Sequence, residues 1–306
     1  LICDPVTSHG RFVPEYFESE KTNLLEAIRS LVNDKRDWAD SRLLRTMCTG
    51  EPYSIPRLGD EETVDKLQAL RLYDQYRDLI TTAPLEIIYS GSAELDRVRQ
   101  ALSAAFATLP REVVRTIADA VPHVCRESVQ TVEDEMEVTQ GKLSMGFSCG
   151  SDDMPALLLG NTLFGGSSNS KLFLNVREKL SLCYYASSMY HRQKGIITVS
   201  SGIEFQNYQR AYDEILSQLA AVQNGEPEEW ELAGARSTLL NSYATVGDSQ
   251  GKLENFYLGQ AATGRSETPA DLAQAVMEVS AERICRAMST VKLDTVYFLK
   301  GKEAQA

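Results

Sequence analysis

The sequence is short of the features that announce several large functional classes. Its 306 residues hold only three histidines, His9, His123 and His191. They are far apart, and none stands in an HxxH, HxxEH or HExxH pattern, so no pair of metal ligands can be read from one helix. The default expectation for each is a polar surface position. The six cysteines are Cys3, Cys48, Cys125, Cys149, Cys183 and Cys285. None forms a CxxC pair, and most lie in apolar runs. That excludes a disulfide framework and predicts buried thiols in a reducing, cytoplasmic setting. No apolar run approaches the ~18 residues of a membrane span, so no membrane partner is expected. Glycine (19) and proline (10) are too few for collagen or low-complexity disorder. Cations are outnumbered, 31 lysines and arginines against 43 carboxylates, for a net charge of −12. Such a chain repels phosphate backbones, so no nucleic-acid partner is expected.

What is present reads as an α+β protein. Leu24, Leu25, Ile28, Leu31 and Val32 recur at helical spacing behind Glu18 and Glu20. Further helices are predicted over 37–47, 60–80 and 93–109, with a short strand at Leu85–Tyr89. Residues 116–138 carry mixed charge and no sustained period. They read as a connector between a first domain, 1–115, and a second, 139–306; a surface loop with an edge strand is the other reading. The second part opens with a strand, 140–149, in which Leu143, Met145 and Phe147 alternate with Lys142, Ser144 and Gly146. Helices at 154–163 and 172–179 flank the run Phe164-Gly-Gly-Ser-Ser-Asn-Ser-Lys171. Strands at 182–190 and 196–203 form a hairpin. Long helices at 208–223, 228–262 and 269–288 lead to a last strand, 293–299.

The two parts echo each other. At an offset of about 208 residues, Leu85 aligns with Leu293 and Tyr89 with Tyr297, and the order of elements around them matches. The second copy has a long segment before its acidic helix, and the first has a short one. With the unusual Leu1-Ile2-Cys3-Asp4-Pro5 start, this sets the expectation that about 70–120 residues stand upstream of the first copy.

Few residues suggest chemistry by themselves. There is no G-x-S-x-G elbow, and His123 with Cys125 is a weak nucleophile pair inside the connector. The run at 164–171 lacks the spacing of a phosphate loop. Gly165 and Gly166 read either as a turn between helices or as a place where backbone amides approach a peptide. Arg177 and Tyr184 straddle a helix-to-strand junction. An arginine can grip a peptide carbonyl or carboxylate, and a tyrosine hydroxyl can donate to an oxyanion. A helix-surface ion pair and a half-buried sheet tyrosine are the plainer reading.

The stretch Phe164-Gly-Gly-Ser-Ser-Asn-Ser-Lys-Leu-Phe-Leu-Asn-Val-Arg-Glu-Lys-Leu-Ser-Leu-Cys-Tyr184 resembles the C-terminal signature of the pitrilysin/insulinase metallopeptidases, the inverzincins. Phe17-Glu-Ser-Glu-Lys-Thr-Asn-Leu-Leu-Glu-Ala-Ile28 resembles that family's E-K-x-x-[VL]-L-x-E-I helix, and Glu51-Pro-Tyr53 its H-P-Y loop. The resemblance implies two related domains, each a mainly antiparallel sheet with helices on one face, the first incomplete here. It also implies a site in two halves: a zinc held by H-x-x-E-H plus a later Glu, and an Arg–Tyr pair seven residues apart. The H-x-x-E-H helix is absent from this chain. The later Glu falls at Ala27, with Glu26 about 100° away around the helix. Arg177 and Tyr184 keep the family spacing.

The resemblance is closest to non-catalytic bacterial members. It implies a zinc-free homologue with no metal ligands or catalytic residues of its own, not catalytic by itself. Arg177, Tyr184, Gly165 and Gly166 would bind a peptide or small protein substrate. A zinc-bearing paralogue would complete a homo- or heterodimeric chamber. Two other readings are a fragment of an active zinc endopeptidase and a purely structural homologue like the respiratory-complex core subunits.

Overall fold

The computed structural model describes residues 2–111, 114–115, 121–225 and 227–302. In chain order the elements are β1 (Thr7–Ser8), β2 (Arg11–Phe12), α1 (Pro14–Ser30), α2 (Lys35–Met47), α3 (Glu61–Asp65), α4 (Ala69–Thr82) and α5 (Leu95–Phe106). Then come β3 (Gln130–Met136), β4 (Gly141–Cys149), α6 (Met154–Phe164), a π-helix (Leu172–Lys179), β5 (Cys183–His191) and β6 (Ile196–Ile203). The chain finishes with α7 (Tyr208–Gln223), α8 (Glu229–Ala244), α9 (Gln250–Ala262), α10 (Pro269–Met277), α11 (Ala281–Met288) and β7 (Val291–Gly301). No helix among the described residues is long and apolar enough to cross a membrane.

Two compact units form, and neither is continuous in sequence. One takes residues 1–31, 56–119 and 250–264; the other takes 32–55, 120–249 and 265–306. The sequence reading put residues 32–55 in the first domain. They lie in the second unit because Ala39, Leu43 and Met47, spaced four apart on α2, are each at most 1% exposed against its sheet. Residues 250–264 make the opposite exchange.

The second unit is built on a five-stranded sheet in the order β3-β7-β4-β6-β5. All neighbours are antiparallel except β3 and β7, which are parallel. Its central strands are buried on both faces. On β7, Val296 and Phe298 face a core shared with α6, α7, α11 and the π-helix, while Tyr297 and Leu299 face α2. α6, α7 and α11 pack on one face, as expected, and α2 covers the other. The expected connector contains β3, an edge strand whose Val132 and Met136 pack beside Tyr297 and Leu299. Its residues 116–120 lie outside the described ones.

The first unit holds the β1–β2 hairpin, whose turn has His9 and Gly10 both at positive φ, as a tight hairpin turn requires. Phe12 meets Tyr73 of α4 edge-on, with ring centroids 5.4 Å apart. The strand expected at Leu85–Tyr89 is not there. The segment forms no ladder with any described strand, and Leu85, Ile87, Ile88 and Tyr89 are exposed. Apolar alternation sets a strand's faces, but a partner is needed to make the strand.

Three long predicted helices are each broken in two. The 60–80 helix breaks at Lys66–Gln68, where Gln68 is extended. The 228–262 helix breaks at the Gly247-Asp248-Ser249 run, where Ser249 is extended. The 269–288 helix restarts at Ser280, whose hydroxyl accepts from the Arg283 amide at 3.2 Å.

Candidate functional site

β5 is the outer strand of the sheet, and a cavity of about 540 Å³ lies along it. Three elements wall the cavity. α2 supplies Arg36, Asp40 and Leu44; the loop after α6 supplies Gly165 to Ser168; and the π-helix supplies Phe173 and Arg177. Tyr185 to Met189, with His191, Thr198 and Ser200, make the floor.

The loop approaches β5 because it carries two glycines. The amides of Gly165 and Gly166 both donate to the Asn161 carbonyl at 2.9 Å, which turns the chain sharply off α6. The Gly165 carbonyl then accepts from the Ser188 amide of β5, also at 2.9 Å. A β-carbon at Gly165 would stand 2.8 Å from that same amide nitrogen, and one at Gly166 3.0 Å from the Thr162 α-carbon. Any side chain would push the loop off the strand. The Ser188 hydroxyl adds a 2.7 Å bond to the Asn161 side chain.

The cavity's charges are set by their neighbours. Arg36 lies over the Tyr185 ring, 4.4 Å from its centroid, and donates to the Ser187 hydroxyl at 3.0 Å. Asp40 accepts from the Ser144 hydroxyl at 2.6 Å. Burial raises its carboxyl above the usual range, and the Ser144 and Ser200 hydroxyls counter part of that rise. His191 bridges the Tyr53 hydroxyl, at 2.9 Å, and the Thr198 hydroxyl, at 3.0 Å, and burial lowers its pKa. Arg177 lies over Phe173 at 4.7 Å, with its Glu178 neighbour 3.6 Å away.

Three of the four predicted site residues, Gly165, Gly166 and Arg177, therefore share this cavity. Tyr184 is not among its walls. It occupies a bulge between Cys183 and Tyr185, is 58% exposed, and donates to Glu204, which raises its phenol pKa. Tyr185, two residues from Ser187 in the regular register of β5, is the tyrosine that faces the cavity. Arg36, Asp40 and Tyr185 were not singled out in the sequence, and His191 was expected only as a polar surface residue. Arg36 and Asp40 reach the groove only because α2 crosses the sheet, which no local pattern announces.

A second polar cluster lies deeper in the same unit. His123 is 7% exposed, against the expectation of a surface histidine. Its Nδ1 is 2.9 Å from Glu51 and its Nε2 3.2 Å from Asp294. Lys194 pairs with Glu51 and donates to the Val121 carbonyl at 2.7 Å; Arg126 pairs with Asp294 at 3.6 Å. Burial opposes ionisation of Glu51, yet the bonds from Lys194 and His123 outweigh it and hold the carboxyl below its usual range.

The ligand atoms of Cys48, Glu51 and His123 all lie within 4.8 Å of one another, so the trio was tested as a metal centre. It does not fit one. Both His123 nitrogens are engaged, and an ammonium already sits on Glu51. Burial, with Glu51 close by, lifts the Cys48 thiol to about 11, far from the thiolate that a metal takes. Two carboxylates and two cations already balance. Ala27 and Glu26, the candidates for the family's later zinc ligand, sit on α1 of the other unit, Glu26 exposed to solvent.

Sheet, glycine loop and arginine-bearing π-helix together are the parts of a peptidase-like domain. The family description "Peptidase M16 inactive domain" matches residues 66–239. The chain is 34% identical over 309 residues to the probable inactive metalloprotease YmfF of Bacillus subtilis, covering 99% of this chain and 72% of that protein. This chain belongs to the M16 peptidase family, that of pitrilysin and insulinase, as the sequence resemblance implied. Its fold is similar to that of a conserved protein from Enterococcus faecalis, with a TM-score of 0.85 at 25% identity, covering 98% of this chain and 72% of that one. An M16 inactive domain from Pseudomonas fluorescens shares the fold at a TM-score of 0.77 and 16% identity, over 96% of this chain and 73% of that one.

Proposed function

We propose that this inactive M16 homologue binds an extended peptide along the edge of β5 and presents it to a zinc-bearing partner subunit. The observation that carries this reading is the shared cavity: Gly165, Gly166 and Arg177 wall the same groove as the open edge of a strand. An extended peptide can add to such an edge through main-chain bonds, while side-chain pockets supply specificity. In this reading Arg177 grips a peptide carbonyl, and the two glycines let main chain meet main chain. Tyr184 contacts the peptide from the bulged end of β5, exchanging its Glu204 bond for one to substrate. The hydroxide and the base come from the partner, because no described cluster of this chain suits zinc. The two expected repeats, 1–115 and 139–306 joined by 116–138, are proposed as a duplication in sequence whose copies exchange residues 32–55 and 250–264 between the compact units, and a cytoplasmic site of action belongs to the same proposal.

The test is fluorescence anisotropy of a labelled unstructured peptide on the full chain. Arg177→Ala is expected to weaken binding about tenfold. Unchanged affinity would overturn the groove reading. With the zinc-bearing paralogue added, Tyr184→Phe should slow cleavage while leaving peptide affinity nearly intact.

A further inference from the structure

We infer that the groove selects peptides bearing a carboxylate, and that Arg36 and Lys142, flanking Tyr185, read it. This rests on the peptide-groove reading above and adds the class of peptide it takes.

The argument begins with charge. Carboxylates outnumber cations in this chain by 43 to 31, and Arg29, Arg42, Arg99, Arg115 and Arg283 each pair with one. Arg36 has none: no ion pair joins it to a described carboxylate. Its acidic neighbours are committed elsewhere. Asp34 caps α2 by accepting from the amides of Arg36 and Asp37, at 2.9 and 3.0 Å. Asp40 is held by the serine hydroxyls already described. A guanidinium carries five N–H donors, and among the described residues only Ser187 accepts from this one.

The guanidinium is also held in place. Stacking on Tyr185 fixes its plane, and the Ser187 bond fixes its rotation. A preset fork loses little entropy when a carboxylate docks.

Lys142 supplies the second charge. It lies 5.6 Å from the same ring and makes no ion pair with a described residue; its ammonium donates to Gln140. The sheet register explains the meeting. Lys142 and Tyr185 both pair with Gly202, so the three lie in one row across the sheet. A β-carbon at Gly202 would stand 2.6 Å from the Tyr185 ring. Glycine there lets the tyrosine lie across the row toward Lys142. Two cations thus flank one ring; Asp34 acts on Lys142 from the α2 cap, but no described carboxylate forms an ion pair with either cation.

The strand fixes where the carboxylate would come from. The Ser188 amide points away from β6, toward Gly165, so by ladder alternation the Ala186 main chain faces the same open edge. Tyr185 and Ser187 turn their side chains to the face where Arg36 stands. A residue of an added strand beside them would present an acidic side chain to Arg36, and its neighbours would turn toward the glycine loop. A peptide ending there would offer its C-terminal carboxylate to the same two cations.

The experiment measures anisotropy of labelled peptides on the full chain. The twins differ only by Glu or Gln at one central position, each with a free or an amidated C-terminus. The Glu twin, or the free-terminus twin, is expected to bind about tenfold tighter than its neutral counterpart, and the arm that carries the preference identifies the source. The preference should shrink as salt is raised, and it should vanish in Arg36→Gln and fall in Lys142→Gln, both confirmed folded by circular dichroism. Arg36→Lys keeps the charge but loses the fork, so it should restore only part. Equal binding of all twins overturns this inference and leaves the groove reading standing. Binding of none overturns both.

Discussion

Asp153 shows how much one side chain can carry. It caps α6 by accepting from the Ala156 amide at 3.2 Å, and it takes a two-pronged grip from Arg283 at 2.7 and 2.9 Å. The Arg283 bond, followed by the cap, holds its carboxyl below the usual range. A depressed carboxyl stabilises the fold above its unfolded pKa, about 3.9, and that contribution is lost as pH falls through the folded value. Asp153→Asn should therefore lower the melting temperature at pH 7, with the gap to wild type closing as pH drops below about 4. A constant gap across pH would show that the charge contributes nothing. Thiols offer a second test at this scale. Cys48 is pushed up to about 11 by burial and Glu51, and Cys149 to about 12 by burial. Both should resist iodoacetamide in the native protein and react in urea, while the partly exposed Cys3, Cys125 and Cys285 react first.

Among elements, the glycine loop depends on a buried ion pair. Lys171 and Glu231 are 8% and 6% exposed, and the Lys171 Nζ sits 3.0 Å from each carboxylate oxygen. Glu231 also accepts from the Glu228 amide at 2.8 Å, so the pair ties the start of α8 to the start of the π-helix. Lys171→Met leaves Glu231 uncompensated and should cost about 3 kcal/mol in urea unfolding; adding Glu231→Leu should recover part of that. A double variant no better than the single would refute the pairing argument. Gly165→Ala should weaken peptide binding and also lower stability, because its β-carbon would stand 2.8 Å from the Ser188 amide on the groove side and 2.7 Å from a methyl of buried Leu172. This is also the scale at which the sequence was most and least readable. The hairpin β5–β6 and strand β4 follow from alternation and a glycine turn, signals contained in a dozen residues. The helix breaks at Gln68 and Ser249 were not legible, because apolar spacing continues through them. The 85–89 strand misled for the opposite reason: its local pattern is right, and no described strand pairs with it.

For the whole chain, the family and the α+β fold were legible because the Arg177–Tyr184 signature is contiguous. The groove was legible only in part. Gly165, Gly166 and Arg177 lie within that signature, whereas Arg36 comes from residues 32–55, which join the sheet from far away in sequence. The same distance hid His123, whose partners Glu51 and Asp294 stand 72 and 171 residues off. Zinc is the decisive measurement at this scale. The intact protein, dialysed and measured by plasma mass spectrometry, should carry far less than one equivalent; a stoichiometric, tightly held ion would sink the zinc-free reading.

The bond from Ser188 to the Gly165 carbonyl has a further consequence, for solubility. A strand edge with every outward group open is a template on which copies of the same protein stack. Here one donor in the middle of β5 is already taken, so a foreign strand finds only a short stretch to pair with. The far edge is guarded differently, by Glu133 and Glu135 on β3, whose charge Lys300 only partly offsets. One border of the sheet is shielded by charge and the other by a loop, and the open length that remains suits a short peptide better than another sheet.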